Sequence, residues 1–168
     1  MAKFKFQETI GTGGRTALLG SGSADQAPNA TYSDKEIGKI VKLSADSRYQ
    51  LAAVGDEIEA FVLSTEPATI DGFCLGTIVG KREVAYKKVT LDGLQATPGT
   101  GTVAVGDYVV TGTAVAKGTA LGEPPRVCKR TDPSTVAGTL GSTFRWRVVA
   151  IYGTSGTPGT QALVEPVL

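Results

Sequence analysis

The chain reads as an all-β protein, a compact β-barrel or β-sandwich of short strands with an extended N-terminal arm. Three observations predict this. Helical periodicity is nearly absent, while short apolar runs and strict alternations recur along the chain. Gly, Asp, Asn and Pro punctuate those runs, with 22 Gly and 8 Pro among 168 residues, the turn chemistry that many short strands require. Hydrophobic residues are 41% and charged residues 20%, with a net charge of +1. That is enough apolar material for one ordinary core, and the charge is too balanced for a strong polyanion binder.

Residues 1–34 read as the arm. Lys3-Phe4-Lys5-Phe6-Gln7 alternates strictly, so Phe4 and Phe6 share one face of a strand. Gly11-Thr12-Gly13-Gly14 is a flexible break, Arg15 to Leu19 a short second strand, and Gly20 to Asn29 a linker. Residues 35–168 read as the β domain. Its first strand is Ile37 to Leu43, followed by a turn at Ser44 to Ser47 and a return at Tyr49 to Ala52. Val54-Gly55-Asp56 is a tight turn feeding a strand over Glu57 to Leu63. Gly72 to Val79 is apolar and broken by glycine, as expected of a buried strand that lies close to another backbone. Arg82 to Val89 is a mixed strand, with Val84 and Tyr86 on one face and Lys87-Lys88 solvated.

The second half repeats part of this grammar. Val103 to Val110, with its Gly106-Asp107 turn, parallels Ala52 to Ile58. The parallel suggests a duplicated unit, although Gly-Asp turns are common in β proteins. Thr111 to Gly118 reads as turn, strand, turn. Glu123-Pro124-Pro125 breaks the chain before a strand at Arg126 to Lys129, and Asp132 to Gly141 holds one short helical turn. Phe144 to Tyr152 is the strongest strand, and Gln161 to Leu168 ends the chain as another.

The chemistry is defined mainly by exclusion. With no histidine, His-based triads and Cys/His zinc sites are ruled out. Cys74 and Cys128 stand in apolar settings without metal-ligand spacing and read as buried, reduced thiols. Asp56 and Glu57, adjacent on a strand, point to opposite faces and make a poor acid/base pair. Asp56 and Asp107 read as turn residues. Gly11 to Thr16 lacks the Lys-Ser/Thr ending of a phosphate loop, and Gly99-Thr100-Gly101 lacks a βαβ context. Phe144, Trp146 and Val148 share one face of their strand, and Arg145 and Arg147 share the other. This reads as core aromatics with outward arginines, and no wider basic field supports direct nucleic-acid binding. Lys81-Arg82, Lys87-Lys88 and Lys129-Arg130 are local basic spots on solvated faces. No leader and no membrane-spanning run is seen, so the expectation is a soluble chain made in the cytoplasm. No enzyme mechanism, cofactor or metal is expected.

The order Gly38-Lys39-Ile40-Val41-Lys42-Leu43, polar turn, Tyr49-Gln50-Leu51, Val54-Gly55-Asp56-Glu57-Ile58, Phe61-Val62-Leu63, Gly76-Thr77-Ile78-Val79 resembles the small β-barrel grammar of capsid decoration, or cement, proteins of tailed bacteriophages. The resemblance covers about a quarter of the chain. It implies a structural virion protein on the outer capsid surface, a homo-oligomer (trimer first, dimer second) whose partner is the major capsid protein and which bridges neighbouring subunits. Lys3, Phe4, Lys5, Phe6 and Arg15 of the arm are then the capsid-contact residues. Two other readings compete. One is a glycan- or cell-surface-binding module of a fibre or adhesin, stacking sugars on Tyr49, Tyr108, Trp146 or Tyr152. The other is a trimeric β enzyme acting on nucleotides through carboxylate-bound magnesium.

Overall fold

The structure is a computed structural model, and it describes residues 9–11, 13–20, 32–44, 47–70, 73–92, 102–130, 145–154, 157 and 159–167. Eleven strands form among these residues. They are β1 (Thr9–Gly11), β2 (Arg15–Leu19), β3 (Ile40–Leu43), β4 (Tyr49–Leu51), β5 (Ala60–Ile70), β6 (Phe73–Gly80), β7 (Val84–Leu91), β8 (Tyr108–Thr111), β9 (Arg126–Lys129), β10 (Arg145–Tyr152) and β11 (Gln161–Val167). One 3-10 turn spans Asp34–Glu36.

The strands close into two rings of five. The first runs β2-β4-β3-β5-β6 and returns to β2. The second runs β7-β11-β10-β8-β9, with β9 returning to β7 and β1 laid beside the start of β7. Ring neighbours are antiparallel except β2–β4 and β7–β9, the two parallel joins. Closure gives each of the ten ring strands a partner on both sides, which removes the exposed edges of the rings that would invite aggregation; β1 pairs on one side, with β7.

The all-β expectation holds, and the way the rings meet explains why one strand is apolar on both faces. Ala60 and Val62 of β5 point into the first ring, with Val41, Cys74 and Ile78. Phe61 between them points out, into the core of the second ring. Ile40 pairs with Phe61, and Phe61 with Val79, so three neighbouring strands present one apolar row to the second ring. There Phe61 meets Trp146 edge to face, with centroids 5.3 Å apart and planes at 87°, an arrangement worth about 0.5–1.5 kcal/mol beyond area burial. Trp146 is 0% exposed, and its indole N–H donates to the Ile58 carbonyl at 2.9 Å. Gly76 shows the close approach expected of its strand: a Cβ there would stand 2.5 Å from the Ser64 carbonyl oxygen.

Several details differ from the sequence reading. β1 and β2 both come from the residues assigned to the arm. β2 pairs with β6 from Arg15↔Ile78 to Leu19↔Cys74, and Leu19 and Tyr32 are buried inside the first ring. These residues are therefore ring wall and ring filling. The expected strand over Lys3 to Gln7, the linker after Gly20 and the helical turn over Asp132 to Gly141 lie outside the described residues. No strand forms between Thr111 and Arg126, because that stretch crosses to the first ring as a strap. Glu36 accepts the Gly118 N–H at 2.6 Å, and the Lys39 ammonium donates to the Ala116 carbonyl at 2.8 Å. Lys87 is buried rather than solvated. Gly11 pairs with Val84 and Ile10 with Tyr86, which leaves Ala85 as an extra residue. That bulge reverses the alternation of β7, turning Tyr86 outward and Lys87 inward.

Candidate interaction surface

Most of the acidic side chains among the described residues are engaged in holding the fold. At Val54-Gly55-Asp56, Gly55 has φ +88°, a conformation glycine adopts without strain. The Asp56 carboxylate accepts the Ala53 N–H at 2.7 Å and the Lys42 ammonium at 2.7 Å. At Val105-Gly106-Asp107, Gly106 has φ +94°. The Asp107 carboxylate accepts the Ala104 N–H at 2.9 Å and the Lys129 ammonium at 2.8 Å. Glu57 pairs with Arg130 at 2.5 Å, Glu123 with Arg126 at 2.6 Å, and Glu165 with Arg147. Among the described residues no group of three His, Cys, Asp or Glu side chains is placed to hold a metal ion.

Glu36 is the most deeply buried acid among the described residues. Burial on its own would raise its pKa. The Ser33 and Gly118 amides, the Ser33 hydroxyl and the Lys39 ammonium outweigh burial and hold it below its ordinary value. Ser33 and Glu36 form a capping box, with Glu36 accepting the Ser33 N–H at 2.7 Å. Both cysteines are free and buried. Burial pushes the Cys128 thiol up to about 11, assisted by the Asp92 charge, and it raises Cys74 too.

Of the residues expected to contact a capsid, Lys3, Phe4, Lys5 and Phe6 lie outside the described residues. Arg15 is half exposed on β2 but engaged within the chain. Its guanidinium donates to the Tyr49 hydroxyl at 2.7 Å, stands 5.3 Å from that ring's centre and lies 3.7 Å from Glu83. Of the aromatics considered as sugar platforms, Trp146 is sealed in the core, and Tyr108 is covered by Arg145 at 5.4 Å. Tyr152 is exposed.

The surface feature that the sequence reading missed is apolar. Leu18 on β2 and Leu63 on β5 are 40% and 44% exposed. Leu18 stands directly across from the partly buried Leu75 of β6. On β5 and β6 the outward residues Phe61 and Val79 are covered by the second ring, while Leu63 and Leu75 stand on the uncovered part of that outer face, with Thr77 between Val79 and Leu75 and Glu66 paired across from Leu75. The signal was present in the doublets Leu18-Leu19 and Val62-Leu63. Neighbours on a strand point to opposite faces, so each doublet places one apolar side chain outside when the other is inside. Val54 and Val105, at the tips of the two Gly-Asp turns, are exposed as well.

No helix among the described residues is long and apolar enough to cross a membrane. No protein-family profile, no curated protein and no solved structure matches this chain.

Proposed function

We propose that this chain is a structural virion protein that binds the outer surface of a phage capsid and stabilises it by bridging neighbouring major capsid subunits, as a homo-oligomer and without transforming a substrate. The observation that carries this reading is the set of outward leucines Leu18, Leu63 and Leu75, held on a body in which Ile40, Phe61 and Val79 of the first ring pack into the core of the second. Fully burying a leucine contributes roughly 1.5–3 kcal/mol, so covering the exposed parts of Leu18 and Leu63 contributes about 2 kcal/mol. A micromolar complex needs about 8 kcal/mol. A contact of this size holds a partner only when several act together, which is the condition that an ordered lattice and an oligomer supply. The decoration-protein order of strands and turns supports the same reading.

The test compares shells of the encoding phage assembled with and without the chain, by electron cryomicroscopy. The expected result is added density outside the shell, seated between neighbouring subunits. A Leu18→Glu/Leu63→Lys double variant should melt within ~0.5 kcal/mol of the parent and lose at least about tenfold in attachment, equivalent to ~1.4 kcal/mol. Identical shells, or a double variant that attaches as well as the parent, would overturn the reading.

A further inference from the structure

One charge interrupts the outward leucines, and it narrows what can cover them. Glu66 of β5 pairs with Leu75 of β6, and Leu75 with Leu18 of β2. The three form one row across three strands, roughly 10 Å from end to end at the usual strand spacing. The row points outward, because Cys74 beside Leu75 lies inside the first ring and the Thr65 hydroxyl beside Glu66 is buried, and neighbours on a strand face opposite ways. Glu66 is exposed, and among the described residues its carboxylate makes no hydrogen bond or ion pair. Asp34, on the 3-10 turn, is the one other described acid in that state. The adjoining row of Thr16, Thr77 and Ser64 is uncharged. These two rows therefore carry a carboxylate and no cation.

Charge selects the occupant. Two copies of the chain set face to face would bring two carboxylates into one contact with no cation from either row to neutralise them. A wholly apolar cover would strip water from Glu66 and leave its charge unpaired, which works against the gain from covering the leucines. A partner that supplies a cation avoids both costs. A guanidinium suits the place better than an ammonium, because its planar fork meets both carboxylate oxygens. In an extended segment alternate side chains stand about 7 Å apart on one face. That step sets an arginine at Glu66 and an aliphatic neighbour on the leucine row. The geometry points to a basic, apolar segment of a partner protein as the occupant, with one arginine on Glu66 and aliphatic side chains against Leu18, Leu75 and Leu63. This deepens the bridging function proposed above and rests on it for the identity of the partner.

The experiment titrates the full chain with acetyl-Leu-Thr-Arg-Thr-Leu-amide and follows the Leu18 and Leu63 methyls and the Glu66 amide by NMR. Saturable shifts are expected at concentrations on the order of millimolar, as one short contact allows. The analogue with citrulline in place of arginine, equal in shape but uncharged, should bind at least ~3-fold more weakly. Glu66→Gln should weaken the arginine peptide by a similar factor with unchanged melting, as an exposed substitution allows. Asp34→Asn, which removes the other unengaged acid, should leave binding as it is. On shells of the encoding phage, Glu66→Lys should lose at least about tenfold in attachment. No saturable shift, equal binding of the citrulline peptide, unaffected binding by Glu66→Gln, or an equal loss with Asp34→Asn would each overturn the proposal. A chain that binds the peptide as expected but no shell would uphold the surface and sink the bridging reading. A Glu66→Lys chain that attaches to shells as well as the parent would overturn the proposal and leave bridging in place.

Discussion

The two Val-Gly-Asp turns are alike in local chemistry and different in what they join. Each places glycine at positive φ, returns the Asp carboxylate to the N–H three residues back and caps it with a lysine from a neighbouring strand. Each is clipped to a distant strand by two backbone bonds. Gly55 donates to the Thr111 carbonyl and Thr111 donates to that of Asp56. Gly106 and Asp107 do the same with Val148. The first clip ties the first ring to β8 of the second, whereas the second clip closes the second ring on itself. The capping lysine precedes the first turn in the chain and follows the second. A copied segment would keep its parts in order, so the pair is better explained as one physical solution reached twice. A tight turn with an Asp at its end satisfies its own N–H, and a lysine nearby neutralises the charge that remains.

That contrast can be broken at its strongest point first. Deleting residues 1–34 removes β2, Tyr32 and the Ser33 cap together. The first ring should then open and lose cooperative unfolding, leaving the first clip without a partner of fixed geometry. A truncated chain with a parent-like calorimetric transition would show that this ring needs neither β2 nor Tyr32.

The strap supplies the next test, because the ion pair of Glu36 and Lys39 holds it across the rings. Glu36→Gln should cost about 3 kcal/mol, since it leaves the buried Lys39 charge without its partner. Glu36 has a lowered folded pKa, so its contribution is fully present above the unfolded value of about 4.5 and is lost as pH falls through the folded value. Melting curves from pH 7 to pH 3 should therefore fall less steeply for Glu36→Gln than for the parent. Parallel curves would mean that Glu36 is not held in its charged form by the fold.

The clips themselves come third. Asp56→Ala and Asp107→Ala should each cost about 1–2 kcal/mol, the sum of one hydrogen bond and one partly exposed ion pair. Hydrogen exchange distinguishes them: Asp56→Ala should speed exchange at the Thr111 amide and Asp107→Ala at Val148. If either variant speeds both amides equally, the clips are not separate.

The smallest effect is chemical. With Cys128 near 11 and both thiols buried, an aromatic disulfide reagent at pH 8 should label neither cysteine until the chain unfolds, and then both. Labelling of the folded chain would reveal an opening between the rings.

Much of the fold was legible. Trp146 and Val148 alternate with arginines, so the face of β10 that is buried follows from the pleat, and the broken apolar run around Gly76 announces a close backbone. Ser33 and Glu36 carry a capping-box spacing that the reading passed over. Lys87 was not legible. Its burial follows from a bulge at Ala85, and bulges depend on the partner strand β1. The candidate surface was half legible, since the leucine doublets require one exposed member, but which member depends on the register against β6.

The sequence alone determined the strands, the turns between them and the absence of histidine chemistry, because alternation, glycine and side-chain type act within a few residues. Only the tertiary structure decided that the strands close into two rings, that Phe61 leaves one ring to fill the other, and that Leu18 and Leu63 remain outside. Those outcomes rest on pairings between residues far apart in the chain. Register sets such pairings, and a single extra residue in one strand exchanges its inside and outside faces.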